Sequence, residues 1–272
     1  MNDLKLIEML KDKARVVRRD IVEMIYHAGS GHPGGSLSAA DIATVLYFSQ
    51  LKHDPRNPDW PERDRFILSK GHCAPLLYAV LAESGYFPEK ELNSLRKIGG
   101  RLQGHPDMRK TPGVDASSGS LGQGLSVANG MAVGCKMDQL DCTVYVLLGD
   151  GEVEEGQIWE AAMFASHFKL DNIIAFVDYN KLQVDGETKR IMNLEPLSAK
   201  WKAFGWHVRE INGHSMSEIL DSIDTAKSVK RMPSVVIAHT VKGKGVSFME
   251  NKPEWHGKAP NHEQYLQALS EL

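Results

Sequence analysis

The stretch VYVLLGDGEVEEG, residues 144–156, decides the fold. Its apolar first half predicts a buried strand over residues 144–148, which ends at Gly149. Four carboxylates follow within six residues, at Asp150, Glu152, Glu154 and Glu155. Like charges at this spacing repel, and the N-terminus of the helix that follows offsets only part of the repulsion. The stretch therefore indicates a nearby cation or partner.

Strands and helices alternate around this stretch. Apolar runs predict strands at residues 66–68, 173–177, 206–211 and 235–238. Helical periodicity predicts helices at residues 125–137, 158–168 and 217–228. Such alternation is typical of an α/β fold with a doubly wound, mostly parallel sheet and helices on both faces. With no internal repeat and no convincing linker, residues 1–272 are expected to form a single domain.

The N-terminal part is predicted to be mainly helical. A helix with one apolar face ends near residues 28–29, and SLSAADIATVLYF begins a second, with Ser36 or Ser38 as the candidate N-cap. CAPLLYAVLAESGYF predicts a further helix that stops at Gly85. Residues 99–124 are rich in Gly, Ser and Pro and predict a long loop, which in compact domains is usually functional or disordered.

Composition narrows the class of protein. The net charge of −3 and pI near 6.4 give no bulk electrostatic reason to bind nucleic acid or an anionic membrane. The chain has no apolar run long enough to span a membrane, and its first residues lack the features of a signal peptide. The cysteines Cys73, Cys135 and Cys142 form no CxxC pair and are interpreted as packing residues. These features predict a soluble cytoplasmic protein.

The ends of two neighbouring strands predict a metal site. Asp150 follows one strand and Asn180 the next, thirty residues later, a fitting length for one βαβ crossover. Because ligands of such sheets bind outside the carboxyl ends of the strands, we expect the two side chains to converge. A carboxylate and an amide oxygen suit Mg²⁺, and Gly149 and Gly151 let a phosphate approach the backbone. The alternative is an ordinary βα turn with a solvated acidic helix start.

The sequence contains neither of two common nucleotide-binding motifs. GDGEVE has Glu154 where a dinucleotide fingerprint requires its third glycine, and no GxxxxGK[ST] motif occurs. GSLGQG, residues 119–124, has the glycine spacing of the dinucleotide fingerprint GxGxxG in reverse order, so it does not match that motif either. It still predicts a backbone cradle at the start of a helix.

Four histidines lie in loops beside glycine: His32, His72, His105 and His256. Each alone is more simply a surface histidine, but loops at one sheet edge can converge on a cleft. There they would act as hydrogen-bond donors and proton shuttles for a hydroxylated substrate. Lys70, Lys242 and Lys244 are candidates to face an anion. The other seven histidines, His214 among them, are interpreted as ordinary residues.

Together these stretches resemble one family, the thiamine diphosphate-dependent transketolases, in their N-terminal, diphosphate-binding half. The matching pieces are SGHPG, LSKGHCAP, GHPD, GSLGQG, GDGEVEEGQIWEA, DYNKLQVDG, VKGKG and WHGK, in family order and over nearly the whole chain. Two positions depart from the family pattern: Gly35, where some relatives have serine, and Cys73, often glycine or alanine.

The resemblance implies a role for each matching residue. Mg²⁺, or Ca²⁺ or Mn²⁺ in its place, would be held by Asp150, Asn180 and the carbonyl of Leu182. Thiamine diphosphate would contact the residues His72, Gly119, Ser120, Leu121, Gly151, Asn180 and Lys242. The residues His32, His105 and His256 would surround the reacting end of a ketose phosphate. Glu155 matches a glutamate at the subunit interface that helps to couple cofactor activation between sites, whereas Glu152 and Glu154 are interpreted as solvated charges.

The resemblance also implies a partner. Transketolases continue into a pyrimidine-binding and a C-terminal domain, whereas this sequence ends at Leu272. We therefore expect the small N-terminal subunit of a split transketolase, active only as an α₂β₂ assembly with a second polypeptide. It would transfer a two-carbon ketol unit from a ketose phosphate to an aldose phosphate, by default in the pentose phosphate pathway. The alternatives are a 1-deoxyxylulose-5-phosphate synthase-like or 2-oxo acid dehydrogenase subunit, or a non-catalytic binding protein.

Overall fold

A central parallel sheet organises the protein. The computed structural model describes residues 4–272, so residues 1–3 of the predicted domain lie outside the described part. The sheet has five strands: β1 Arg65–Leu68, β2 Val144–Gly149, β3 Ile173–Tyr179, β6 His207–Asn212 and β7 Ser234–His239. They lie in the order β1-β2-β3-β7-β6, and every neighbouring pair is parallel. The predicted doubly wound α/β fold is confirmed.

Helices cover both faces of this sheet. One layer contains α1 (Leu4–Ala28), α2 (Pro33–Ser38), α3 (Ala40–Val45), α4 (Ala74–Glu83), α9 (Met216–Ser228) and α10 (His262–Glu271). The other contains α5 (Gln123–Met137), α6 (Gly156–His167) and α8 (Leu197–Ala203). Because side chains alternate along a strand, Tyr145 and Leu147 of β2 pack in the first layer, whereas Val146 and Leu148 pack in the second. The central strands β2 and β3 are mainly apolar because both faces of the sheet are buried, with Asp178 near the end of β3 as the charged exception.

The second predicted helix differs in detail. It is divided into α2 and α3, and α3 continues into a π-helical turn, Leu46–Gln50. The proposed N-cap was wrong. Ser36 donates its hydroxyl to the carbonyl of His32, and Ser38 donates to Asp178 at the end of β3. Pro33 begins α2, where its missing N–H costs nothing.

The segment between β3 and β6 is more ordered than the polar loop that the sequence predicts. It forms a two-stranded hairpin, β4 (Leu182–Gln183) with β5 (Gly186–Glu187), followed by α7 (Thr188–Ile191) and α8. By contrast, residues 99–122 form no helix or strand, as predicted. No helix within residues 4–272 is long and apolar enough to cross a membrane.

The interpretation of all three cysteines as packing residues was wrong for two of them. Cys135, near the end of α5, and Cys142, before β2, form a disulfide across seven residues. Cys73 is free and buried. The sequence spacing contains no CxxC signal, and the bond depends on a turn that returns the chain from α5 to β2.

Candidate active site

The site lies where β2 and β3 end side by side. Gly149 is the register partner of Asp178, so the residues that follow both strands emerge at the same edge of the sheet. Asp150 is buried and accepts hydrogen bonds from the backbone N–H groups of Gly151 and Lys181. The second of these bonds ties the turn after β2 to the turn after β3.

Three oxygen-bearing groups converge at this edge. Asp150, Asn180 and Leu182 line a cavity of about 350 Å³. The Asn180 amide is oriented from both sides: its Nδ2 donates to Asp178 Oδ2 at 3.2 Å, and its Oδ1 accepts from the Leu182 N–H at 3.1 Å. Carboxylate, amide and carbonyl oxygens are the ligands that Mg²⁺ prefers, so the residues present fit this ion.

The electrostatics of Asp150 also fit a cation. Burial, and then the neighbouring Asp178, raise the pKa of Asp150 to about 7. A divalent ion at this position would favour the ionised carboxylate. A cation is therefore complementary to the charge that the fold places here.

Lys70 lines the same cavity, and its predicted contact with an external anion stays a prediction. It is buried and forms an ion pair with Asp178, and its Nζ also donates to the carbonyl of Gly35 at 3.0 Å. Burial alone would raise the pKa of Asp178, but Lys70 and the hydroxyls of Ser38 and Thr240 hold it below its usual value. Asp178 also accepts the hydrogen bond from Asn180 Nδ2, so the Lys70–Asp178 pair helps to orient the Asn180 amide.

Glu152 is not a solvated charge, which corrects the prediction. Its side chain is buried, and its carboxylate accepts from the Ser69 hydroxyl and from the N–H groups of Gly122 and Gly149, both at 3.0 Å. Glu154 is half-buried at the cavity wall, and Glu155 is exposed at its edge. The four neighbouring acids thus occupy different environments, which reduces the repulsion that the sequence suggests.

The glycine-rich loop supplies a second wall. Gly119 and Leu121 line the cavity, whereas Ser120 is exposed and lies outside its lining. Gly122 has a φ of +83° and immediately precedes α5, so the predicted cradle does open a helix. A Cβ on Gly124 would lie 2.4 Å from the Ser69 hydroxyl oxygen, and only glycine permits this approach.

Three of the four glycine-flanked histidines form a cluster. The ring centroids of His32 and His72 are 5.2 Å apart, those of His32 and His256 are 5.4 Å apart, and His72 and His256 stack at 5.2 Å. His72 and His256 line the cavity. His105 is exposed beside Gly119, where a Cβ on that glycine would lie 3.3 Å from its ring. All four therefore lie in or around one cleft.

Burial and nearby cations keep the clustered histidines neutral. Burial, then Lys70 and His256, lower the pKa of His72 to about 2. Burial and Lys242 lower the pKa of His256 to about 3, and burial and Arg96 lower that of His32 to about 4. Neutral imidazoles can both accept and donate a hydrogen bond, which suits contact with sugar hydroxyls.

Lys242 is a second lysine that lines the cavity. It is buried, and its Nζ lies 3.0 Å from the Leu182 carbonyl and 3.0 Å from His256 Nδ1. Burial and Lys70 lower its pKa to about 8. Lys244, by contrast, pairs with Glu250 at 3.2 Å. Of the two lysines in VKGKG, only Lys242 is placed to contact an anionic ligand in the cavity.

Most of the predicted site residues share this cavity. Its lining includes His72, Gly119, Leu121, Asp150, Gly151, Glu155, Asn180, Leu182, Lys242 and His256. Sequence reasoning missed the supporting roles of Glu152, Asp178 and Lys70. Asp178 could have been noticed because it is a charged residue within an apolar strand. Nothing in the local sequence distinguishes Glu152 from the acids beside it.

The chain is similar to known proteins in sequence and in fold. Residues 9–271 match the family model described as transketolase, thiamine diphosphate binding domain. A 6-deoxy-6-sulfo-D-fructose transketolase subunit from Clostridium sp. (strain MSTE9) is 51% identical over 263 residues, covering 97% of this chain and 96% of the relative. An apulose-4-phosphate transketolase subunit from Phocaeicola vulgatus is 42% identical, with 98% of this chain and 94% of the relative covered.

A solved structure extends the comparison. The transketolase of Campylobacter jejuni superposes with a TM-score of 0.93 and 35% sequence identity, over 100% of this chain and 43% of that one. This chain thus spans nearly the full length of the two subunit relatives but less than half of the solved transketolase. It belongs to the transketolase family, as a thiamine diphosphate-binding domain of the kind that forms the N-terminal subunit of split transketolases.

Proposed function

We propose that this chain is the N-terminal, diphosphate-binding subunit of a two-subunit transketolase. In this proposal it binds thiamine diphosphate with Mg²⁺ and, with a second polypeptide, transfers a two-carbon ketol unit from a ketose phosphate to an aldose phosphate. The observation that carries the proposal is the convergence of Asp150, Asn180, Leu182 and Lys242 on one cavity beside a cluster of neutral histidines.

Each wall of the cavity has a distinct task. Asp150, Asn180 and the Leu182 carbonyl would hold Mg²⁺ against the diphosphate. Lys242 and the backbone of Gly151 would contact the diphosphate itself, with His72 and the Gly119–Leu121 wall enclosing the cofactor. Thiamine diphosphate, when bound, supplies the carbon nucleophile of ketol transfer.

The histidines handle the hydroxylated substrate. His32 and His256 adjoin one another in the cleft, with His105 at its exposed side. Because their pKa values are depressed, His32 and His256 are neutral, and each ring can accept a hydrogen bond from a substrate hydroxyl. Glu155, exposed at the cavity edge, would meet a neighbouring subunit in this proposal.

The assembly and the substrate belong to the same proposal. We place the enzyme in the cytoplasm as an α₂β₂ assembly with a pyrimidine-binding subunit, acting on neither nucleic acid nor membrane. The default donor is a ketose of the pentose phosphate pathway. The name of the 51% identical relative suggests 6-deoxy-6-sulfo-D-fructose as a second candidate donor. Its sulfonate is a tetrahedral anion like a phosphate but carries less charge.

Ketol transfer by the chain together with its co-purifying subunit tests the proposal. Fructose 6-phosphate and 6-deoxy-6-sulfo-D-fructose serve as donors and an aldose phosphate as acceptor, with thiamine diphosphate and Mg²⁺ each omitted in turn. We expect transfer from at least one donor only when both are present. Transfer that persists without thiamine diphosphate, or a complex that never binds it, would refute the proposal.

A further inference from the structure

His214 lies outside the cavity, yet it connects a buried ion pair to the segment that carries Lys242. It follows β6, and its ring is 15% exposed. The turn is held close to the end of β7: the Gly213 N–H donates to the His239 carbonyl at 2.8 Å, and a Cβ on Gly213 would lie 2.4 Å from the Thr240 methyl group. Only glycine permits this approach.

A chain of hydrogen bonds fixes the His214 ring. Arg18 of α1 forms a bidentate pair with Asp41 of α3, with distances of 3.0 Å and 2.6 Å. His214 Nδ1 lies 2.7 Å from the same carboxylate, at Asp41 Oδ2. Arg18 and Asp41 are both buried, so water does not compete for these bonds.

The other ring nitrogen fixes the tautomer. His214 Nε2 accepts a hydrogen bond from the backbone N–H of Val241 at 2.9 Å, so it carries no proton. The ring proton must therefore lie on Nδ1 and be donated to Asp41. A buried carboxylate thus orients an imidazole, which in turn holds a backbone amide.

That amide immediately precedes Lys242. The same segment is held further along, where the Gly243 N–H donates to the Gly34 carbonyl at 2.9 Å. A Cβ on Gly243 would lie 2.4 Å from the Met249 carbonyl oxygen, so only glycine permits this close approach. Between these anchors, the side chain of Lys242 is directed into the cavity.

We infer that His214 is a positioning residue: held by the Arg18–Asp41 pair, it fixes the backbone at Val241 and thereby places Lys242 against the diphosphate. This role rests on the proposed function, because the task of Lys242 is part of that proposal. His214 itself does not line the cavity, so its effect is exerted through Val241.

Hydrogen exchange and cofactor binding together test this role in the complex with the co-purifying subunit. We expect His214→Ala to accelerate exchange at least tenfold in residues 240–246, with the core strands unchanged, and to weaken thiamine diphosphate binding at least fivefold. His214→Gln retains an acceptor and a donor and should restore part of both. His207→Ala, at the start of β6, is the matched control and should change neither.

The outcomes separate this inference from the function on which it rests. Unchanged exchange and affinity in His214→Ala, while the wild-type complex binds thiamine diphosphate, would overturn the inference alone. Acceleration spread over the whole chain would also overturn it, since His214 would then be a general structural residue. A wild-type complex that binds no thiamine diphosphate would refute the proposed function, and local exchange would still report on the His214–Val241 bond.

Discussion

The carboxylate of Glu152 accepts a hydrogen bond from the backbone N–H of Gly122 at 3.0 Å, although thirty residues separate them. Together with its bonds to Ser69 and Gly149, this contact makes Glu152 the meeting point of three segments that surround the cavity. Burial raises the pKa of this carboxyl, and the three donors only partly oppose the effect. The buried carboxylate therefore depends on its donors.

Replacing Glu152 by glutamine should destabilise the chain by about 2–3 kcal/mol, because an amide NH₂ would face N–H or O–H donors. Urea unfolding measures the change. Glu160→Gln, on the exposed face of α6, is the control and should remain within about 0.5 kcal/mol of wild type. Equal stability of the two variants would mean that the contacts of Glu152 contribute nothing.

Asp150→Asn should weaken Mg²⁺-dependent binding of thiamine diphosphate by at least about a hundredfold, because the proposed metal site would lose its carboxylate ligand. Calorimetric titration of the assembled complex gives the affinity. Asp185→Asn changes an exposed aspartate of the neighbouring hairpin in the same way, and its affinity should stay at the wild-type value. Wild-type affinity in Asp150→Asn would place the metal elsewhere.

Gly35 and Cys73 should be energetically coupled. A Cβ on Gly35 would lie 2.8 Å from Cys73 Sγ, and Cys73 is fully buried. We expect Gly35→Ser to cost about 1–3 kcal/mol of stability through overpacking. In the double variant with Cys73→Ala, the cost should be at least about 1 kcal/mol less than the sum of the single costs. Strict additivity in urea unfolding would show that the sulfur is not the obstacle.

Asp20 should make the stability of the chain fall as pH rises. Burial, then Glu83, Glu89 and Glu23, raise its pKa from 3.8 to about 7. Between those two values the folded chain binds more protons than the unfolded chain, so raising the pH favours unfolding. Asp20→Asn should remove this part of the pH dependence and stabilise the chain at pH 8 by about 1–2 kcal/mol, since residual solvent contact screens the effect.

Urea unfolding of the wild-type chain and of Asp20→Asn, at pH 5 and at pH 8, measures the difference in stability. Asp12→Asn, in the exposed Asp12–Arg15 pair on the same helix, is the control and should leave the pH profile unchanged. A gain for Asp20→Asn that is equal at the two pH values would contradict the assigned titration.

The sequence predicted the residues of the site that follow directly from the order of strands and helices along the chain. Asp150 and Asn180 follow successive strands, and parallel strands present their carboxyl ends at one edge, so their proximity could be predicted. The roles of Glu152, Lys70 and His214 could not. Each depends on a partner from a distant segment, and a local pattern does not specify which segments pack together.

The predictions for the cysteines and for the serine N-cap were wrong because the partner of each residue could not be read from the local sequence. Cys135 and Cys142 meet because of the turn after α5, which no short motif marks. Ser38 satisfies its hydroxyl on Asp178, 140 residues away, instead of capping its own helix. For Ser38, a tertiary contact overrode the local capping propensity.

Native mass spectrometry of the complex that this chain forms in its own cells tests the central claim most directly. We predict an assembly that contains this chain and a second polypeptide in equal copy number, two of each, with one thiamine diphosphate and one Mg²⁺ for each pair. The second polypeptide should then have the sequence of a pyrimidine-binding domain, which would complete the site. A cofactor-free assembly of this chain alone would contradict the account and favour a binding protein that retains the fold.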